Sequence, residues 1–365
     1  MTNFFYITDL SLPSDKAQAV HIFKMLDNFQ EFSKKVTLIC PYSKKKFDFK
    51  KNYKLHSKKK IIINSIFKKK FNNTFLRRFL FSIRVSLLLK NKKSIILTRS
   101  LISSFFMSIF NIDHFLEIHQ EIKGITKLLL IDFDYINSKN IIKVIFISQG
   151  LANFYSSKKT NYIVLHDACE LRDFIKKKPS KYVKNIYYVG SFYKGRGIEL
   201  IEQIASKMQD LNFFAYGMRN EKKKSTKNLK FFKIISYSKV GEVLKKADLL
   251  LMPYQSKISI NSQNYNDEIS KFISPLKMFE YFATGVPIIS SNLKVLREKL
   301  IHNRNCLLVN DFDNPNNWIK LIKKLKKNFN LRKKIFHGAI QVAKKNTWRI
   351  RVNKIMKIYE KFNMK

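Results

Sequence analysis

The sequence predicts an α/β protein made of two doubly wound domains, and three observations carry that reading. The chain has 365 residues, more than one ordinary domain needs and enough for two. Apolar residues make up 45% of it, ample for two cores, which excludes global disorder. Short apolar runs of strand length alternate with longer stretches of helical period, and the pattern occurs twice in succession.

The first series of candidate strands is 3–8, 36–40, 94–98, 114–118, 143–147 and 162–166. The second is 186–190, 212–216, 229–235, 248–252, 286–290 and 306–309. Helical patterns fall between them at 17–33, 197–208, 238–246, 293–301 and 315–328. Strands buried on both faces and joined by helix-length connections are the pattern of parallel sheets. The charged, proline-bearing run Lys176-Lys177-Lys178-Pro179-Ser180 suits a linker. The expected domains are therefore 1–178 and 179–345, followed by a terminal segment 346–365. In that segment Trp348, Val352, Ile355, Met356 and Tyr359 recur at helical spacing, so an amphipathic helix should pack on something. No repeat period argues for a solenoid or propeller.

No charged start and apolar stretch precede Asn3, so no signal peptide is expected. The longest uncharged apolar stretches, Leu101 to Ile112 and Val144 to Ser157, are shorter than the ~20 residues of a membrane helix. Cys40, Cys169 and Cys306 lie far apart without a CxxC pair or Cys/His cluster. That argues against a disulfide framework or zinc site and suits a reducing cytoplasm. The expectation is a cytoplasmic protein, peripheral on the inner face of a membrane at most.

The net charge of +45 comes mostly from lysine in a chain also rich in Ile, Asn and Phe, the set that AT-rich coding produces. It is not evenly spread. Residues 34–93 hold 20 Lys/Arg against the single acid Asp48. Such a field draws a protein towards polyanions, an anionic membrane surface or nucleic acid, unless it is only a solvated face. No helix-turn-helix, zinc-finger or RNA-binding aromatic signature accompanies it, so no specific nucleic acid is expected.

The densest local signal is Ser274-Pro275-Leu276-Lys277-Met278-Phe279-Glu280-Tyr281, continuing to Gly285-Val286-Pro287-Ile288-Ile289. Ser274 suits an N-cap, Pro275 the first helical position and Gly285 the C-terminal stop, which predicts a helix over 275–284. Its N-terminus is an anion site by construction. Lys277 sits in the first turn, where only a bound anion makes a cation welcome, and Glu280 follows on the same face. Without an anion, the two would simply pair with each other. A second cluster, Gly190-Ser191-Phe192-Tyr193-Lys194-Gly195-Arg196-Gly197, joins glycines that let a backbone approach phosphates to an arginine fork that binds them. A turn with surface basic residues is the plainer reading. It is not a GxGxxG fingerprint, so NAD binding finds no support.

The string from Ser274 to Glu298 resembles the signature of the large retaining GT-B glycosyltransferases, family 4-like and of the "glycosyl transferases group 1" type. That family is marked by two glutamates separated by seven residues. Glu280 matches the second, which contacts the nucleotide ribose, while Phe272 stands where the first would be. The chain is similar to the branch that keeps only K-x-x-E-Y. Asp267 or Glu268 is a candidate to compensate. The run Tyr188 to Leu200 is similar to the strand–loop–helix that opens the family's second domain, where Arg196 would bind the donor pyrophosphate with Lys194 close by. Ala247 to Tyr254 resembles the strand leading to the donor-sugar loop, and Trp348-Arg349 the start of a last helix that crosses back to brace the first domain. More loosely, Pro13 to His21 resembles the loop and helix start that faces the cleft, where backbone and Ser14 or Lys16 would meet the acceptor or the donor phosphate. His119, after Phe115-Leu116-Glu117-Ile118, resembles the strand-end histidine that contacts the transferred sugar. His166-Asp167 resembles the segment that precedes the second domain.

The resemblance implies two Rossmann-like domains and retaining transfer from a nucleoside diphosphate sugar to a glycan or lipid-linked acceptor, in cell-surface polysaccharide or lipopolysaccharide synthesis. It implies no metal and no separate cofactor. His119 and Glu280 would be catalytic, and Gly190, Lys194, Arg196, Gly197, Ser274, Leu276, Lys277 and Glu280 would bind the donor. The rival readings are a basic nucleic-acid-binding protein, a non-catalytic nucleotide-sugar binder, and a GT-B epimerase or phosphorylase.

Overall fold

A computed structural model describes residues 2–44, 46–70, 74–218, 223–259 and 270–364. The chain divides into two compact units, Met1–His166 with Trp348–Lys365, and Asp167–Thr347. In the first unit seven strands, β1 (Phe4–Ile7), β2 (Val36–Cys40), β3 (Ile62–Ser65), β4 (Ile95–Thr98), β5 (His114–Ile118), β6 (Ile141–Phe146) and β7 (Tyr162–Val164), form one sheet in the order β3-β2-β1-β4-β5-β6-β7. In the second, β8 (Asn185–Val189), β9 (Asn212–Met218), β10 (Leu229–Lys233), β11 (Leu249–Met252), β12 (Ile288–Ser291) and β13 (Leu307–Val309) run in the order β10-β9-β8-β11-β12-β13. Pairing is parallel throughout. Each order reverses once, between β1 and β4 and between β8 and β11. Ligands of open α/β sheets bind beyond the carboxyl ends of the strands that flank such a reversal.

Every predicted strand is present, and β3 is an addition. Its Ile61-Ile62-Ile63 run is hemmed by lysines and lies half-exposed at the sheet edge, so its apolar signal is short. The helix predicted over 293–301 is only a single turn, Leu296–Glu298. The side chain of Asn305 accepts the Ile301 N–H at 2.8 Å and donates to the Lys299 carbonyl at 2.9 Å, satisfying groups a further turn would need. The boundary between units falls before the 176–180 run rather than within it. Lys177 is built into the second unit, its Nζ donating to the Ala247 carbonyl at 2.8 Å and meeting Asp248 at 3.0 Å.

The terminal helix Trp348–Asn363 belongs to the first unit and packs on helix Ala17–Phe29. Trp348, Val352, Ile355 and Met356 are buried, as their spacing predicts. The Trp348 ring meets the His21 ring edge-on at 4.9 Å. Arg351, 3% exposed, donates to Glu117 Oε1 at 2.5 Å and to the carbonyls of Leu165 and His166 at 3.0 Å. Glu117 also accepts Tyr6 Oη at 3.0 Å and contacts His21 Nε2 at 3.1 Å. Burial pushes the Glu117 carboxyl up, but Arg351 above all, with His21 and His119, holds it well below the usual range. Glu117 is thus a fixed anion around which β1, β5 and the two helices are gathered. All three cysteines are buried free thiols.

Candidate functional site

In the second unit the chain leaves β8 at Gly190, whose N–H donates to the Tyr216 carbonyl at 2.9 Å. The turn that follows lies directly on the segment leaving β11. Gly195 and Gly197 both have φ of +79°, and a β-carbon would come within 1.9 Å of the Lys257 carbonyl oxygen at Gly195 and 2.0 Å of the Pro253 carbonyl oxygen at Gly197. Only glycine allows both the left-handed backbone and the close approach. Gly197 then starts helix Ile198–Lys207. The Gln255 N–H on the Gly195 carbonyl at 3.0 Å and the Ser259 N–H on the Lys194 carbonyl at 3.1 Å join the two loops. Lys194 itself is exposed.

The helix predicted over 275–284 is Leu276–Thr284, closed by Gly285 in the left-handed conformation. Ser274 does not cap it. Pro275 holds the N-cap position, and the Ser274 hydroxyl instead accepts the Asp167 N–H at 3.1 Å. Leu276, the first helical residue, is buried. Tyr281 ties the helix to β8, its hydroxyl accepting the Val189 N–H at 2.9 Å.

This framework brings two cations together. The Lys277 ammonium lies 4.2 Å from the Tyr188 ring centre and 4.6 Å from that of Tyr254. The Arg196 guanidinium lies 5.3 Å from the same Tyr254 ring. Arg196 Nη2 reaches the Ser259 carbonyl at 3.4 Å, while its buried Nε has no acceptor among the described residues. Burial first, and Arg196 second, hold the Lys277 ammonium well below its usual range, with Glu280 pulling the other way. Two cations against one aromatic ring at the sheet reversal form an arrangement that an anion would relieve. Glu280 is 6% exposed, and after burial its charge raises Tyr237 further. Phe272, eight residues earlier, is also buried. Asp267 and Glu268 lie outside the described residues.

In the first unit His119 follows β5, its Nε2 3.1 Å from Glu117 Oε2 but outside hydrogen-bond geometry. Burial, then the Arg99 guanidinium, lowers the imidazole to about 3, so it is neutral at ordinary pH. Lys16 precedes helix Ala17–Phe29 without a side-chain cap, and the Ser14 carbonyl accepts Tyr53 Oη at 2.5 Å. Tyr188 and Tyr254, which bound the two matched runs of the second unit, and Arg99 of the first carry no local signal for the contacts they make here. Arg99 follows β4 at the reversal of its sheet, and its buried Nη1 has no acceptor among the described residues. Its position after a strand end was the available signal.

The histidines make the first unit acid-sensitive. Burial lowers His114 to about 4, as it lowers His119 to about 3, against 6.5 for an unburied imidazole. Between those values the unfolded chain binds protons that the folded chain refuses, so stability rises with pH across the window and is lost as pH falls. The expected result is a lower melting temperature on going from about pH 7 to about pH 5, with a shallower slope in His119→Asn.

Residues 183–328 match the family described as Glycosyl transferases group 1. No curated protein sequence matches the chain. Among solved structures, sucrose-phosphate synthase from Thermosynechococcus elongatus is similar at a TM-score of 0.74 and 13% identity, over 100% of both chains. HepE of Anabaena, solved with UDP and glucose, is similar at 0.68 and 10% identity, again over 100% of both. The lipopolysaccharide outer core galactosyltransferase WaaB gives 0.66 and 14% identity over 98% of this chain and 99% of its own. At such identities the likeness speaks for the fold, which is GT-B, and the match over 183–328 covers both the Gly190–Gly197 turn and the start of helix Leu276–Thr284. Residues 183–328, about two fifths of the chain, match the glycosyl transferases group 1 family, and the fold of the chain as a whole is GT-B.

Proposed function

We propose that the enzyme transfers a sugar, with retention at the anomeric carbon, from a nucleoside diphosphate sugar to a glycan or lipid-linked acceptor of cell-surface polysaccharide or lipopolysaccharide synthesis. The observation that carries the donor is the Arg196–Lys277 pair, two partly buried cations at the reversal of the second sheet. They would hold the diphosphate and stabilise the charge that develops as it leaves, with the N-terminus of helix Leu276–Thr284 beside them. Protein cations then do what a metal does elsewhere. Glu280 would accept hydrogen bonds from the ribose, and Gly190 and Gly197 would let the backbone approach the phosphates. Ser274 and Leu276 would set the helix start. Lys194 would meet the donor from the exposed rim.

For His119 the support is the family resemblance together with its position after a strand end. As a neutral imidazole it would offer a hydrogen bond to the sugar rather than a charge. Phe272 in place of the first glutamate removes a usual sugar contact, so the sugar's own hydroxyls would be held by other groups. One similar structure contains UDP and another is named a lipopolysaccharide outer core galactosyltransferase, which makes UDP-sugars and lipid-linked glycans the first candidates. We also place the protein in the cytoplasm at an anionic membrane surface, on the strength of the field over 34–93. No helix among the described residues is long and apolar enough to cross a membrane.

A thermal-shift and calorimetric screen against UDP-, GDP- and other sugar nucleotides tests the donor. One nucleoside diphosphate sugar is expected to raise the melting temperature, and to be consumed only when a glycan acceptor is present. Consumption without an acceptor would instead favour an epimerase or phosphorylase, and binding without turnover a non-catalytic binder. Tighter, salt-dependent binding to duplex DNA with no response to any sugar nucleotide would overturn the reading.

A further inference from the structure

Helix Thr74–Leu89 turns Phe81, Ser82, Val85, Ser86 and Leu89 into the first unit's core. Its opposite side carries a second apolar stripe where a surface helix ordinarily carries polar residues. Leu76, Phe79 and Leu87 are 43%, 39% and 55% exposed, and half-buried Leu80 and Ile83 fill the spaces between them at helical spacing. The stripe continues onto helix Leu101–Ile109, which packs alongside. The Phe79 ring meets Phe106 edge-on at 5.2 Å, and Ile109 is 45% exposed. Cations lie beside it: Arg84 is exposed over the Phe67 ring and Lys90 follows the helix.

We propose that this face of helix Thr74–Leu89 is a membrane-insertion surface that seats the protein on an anionic lipid bilayer. The proposal rests on the membrane reading above and supplies what charge alone does not, an apolar wedge. The charge around it selects the occupant. A second copy of the chain would bring two strongly positive fields together, and a nucleic acid would answer the cations but leave the leucines and phenylalanines exposed to water. A bilayer with anionic headgroups satisfies both, with the cations at the headgroups and Phe79, Ile83 and Leu87 entering the acyl boundary.

The test uses the full chain with phosphatidylcholine vesicles, with and without phosphatidylglycerol, at physiological and high salt. The parent is expected to bind the anionic vesicles and to keep part of that binding in high salt. The double variant Phe79→Ser, Leu87→Ser should melt like the parent and act equally on a soluble acceptor, yet lose about tenfold or more in vesicle affinity. In Leu87→Trp the emission should shift to the blue on anionic vesicles and be quenched by brominated lipid. Reversing charges across 58–78 should remove the low-salt component. If the parent binds no anionic vesicle, both the membrane reading and this surface fall. If the parent binds but the double variant binds equally, or if the Leu87→Trp emission stays put on bound vesicles, the insertion surface alone is overturned. It is overturned too if the parent is a dimer that the double variant makes monomeric.

Discussion

Lys277→Met is expected to lower kcat/KM by about 10²–10³-fold while melting at or above the parent temperature. The two effects share one cause. In the folded protein without donor, the Lys277 ammonium is largely removed from water and lies against the same Tyr254 ring as the Arg196 guanidinium, so its charge opposes folding. The two aromatic faces return about 1–2 kcal/mol each at most, less than the several kcal/mol that burying a cation costs. Methionine keeps the length and apolar contacts without the charge. On the function proposed above, the penalty becomes useful when a diphosphate arrives, because the same partly buried cation then meets an anion with little competing water. Steady-state kinetics with the cognate donor and a thermal melt check both halves. Arg196→Ala and Glu280→Ala are expected to abolish transfer with the fold intact, and full activity in either would sink the assignment of this site.

Arg351→Ala is expected to cost the first unit about 3–5 kcal/mol, the range for removing one partner of a buried ion pair. Glu117, fully buried, would keep Tyr6 and His21 but lose the group that most stabilises its charge. The carbonyls of Leu165 and His166 would lose their donor as well. The double variant Glu117→Gln, Arg351→Met should recover much of the loss, since neutral groups of similar volume leave no stranded charge. Denaturant unfolding of the single and double variants gives the coupling energy. A pair that proved additive would remove Glu117 as the organising anion of this unit.

These two sites differ in how visible they are in the sequence. The two glycine- and cation-bearing loops of the second unit were legible because each is local: glycines, arginine and lysine within a few residues carry their own geometry, and the strand order places the loops together. The aromatic sandwich was not, because Tyr188, Tyr254 and Lys277 meet only after three segments have folded against one another. Ser274 departs from its expected cap for a related reason. It has the composition of an N-cap, but Asp167, 107 residues away, supplies a backbone N–H that claims its hydroxyl. Glu117 stands in the sequence as one acid within the apolar strand that leads to His119. Its partner Arg351 lies 234 residues further on, inside a helix whose apolar spacing announced packing but not a buried salt bridge. The strands were the most legible feature, since burial on both faces makes each a continuous apolar run. The lysine-hemmed edge strand β3 escaped for want of that burial.

The first unit takes its last helix from beyond the end of the second, with Asp167–Thr347 inserted between its two pieces. During synthesis the ribosome therefore delivers the second unit whole before the first can close. Until Trp348–Asn363 emerges, Glu117 waits beside His21 without its arginine, and the groove for Trp348 on helix Ala17–Phe29 stays open. The usual order in which an N-terminal domain matures first is inverted here, and a nascent chain halted after Thr347 would expose its unfinished half to chaperones and proteases. A protease cut just before Trp348 would have a related effect on the finished protein, turning an intramolecular lock into a two-piece complex held together only by the packing and charge of its last helix.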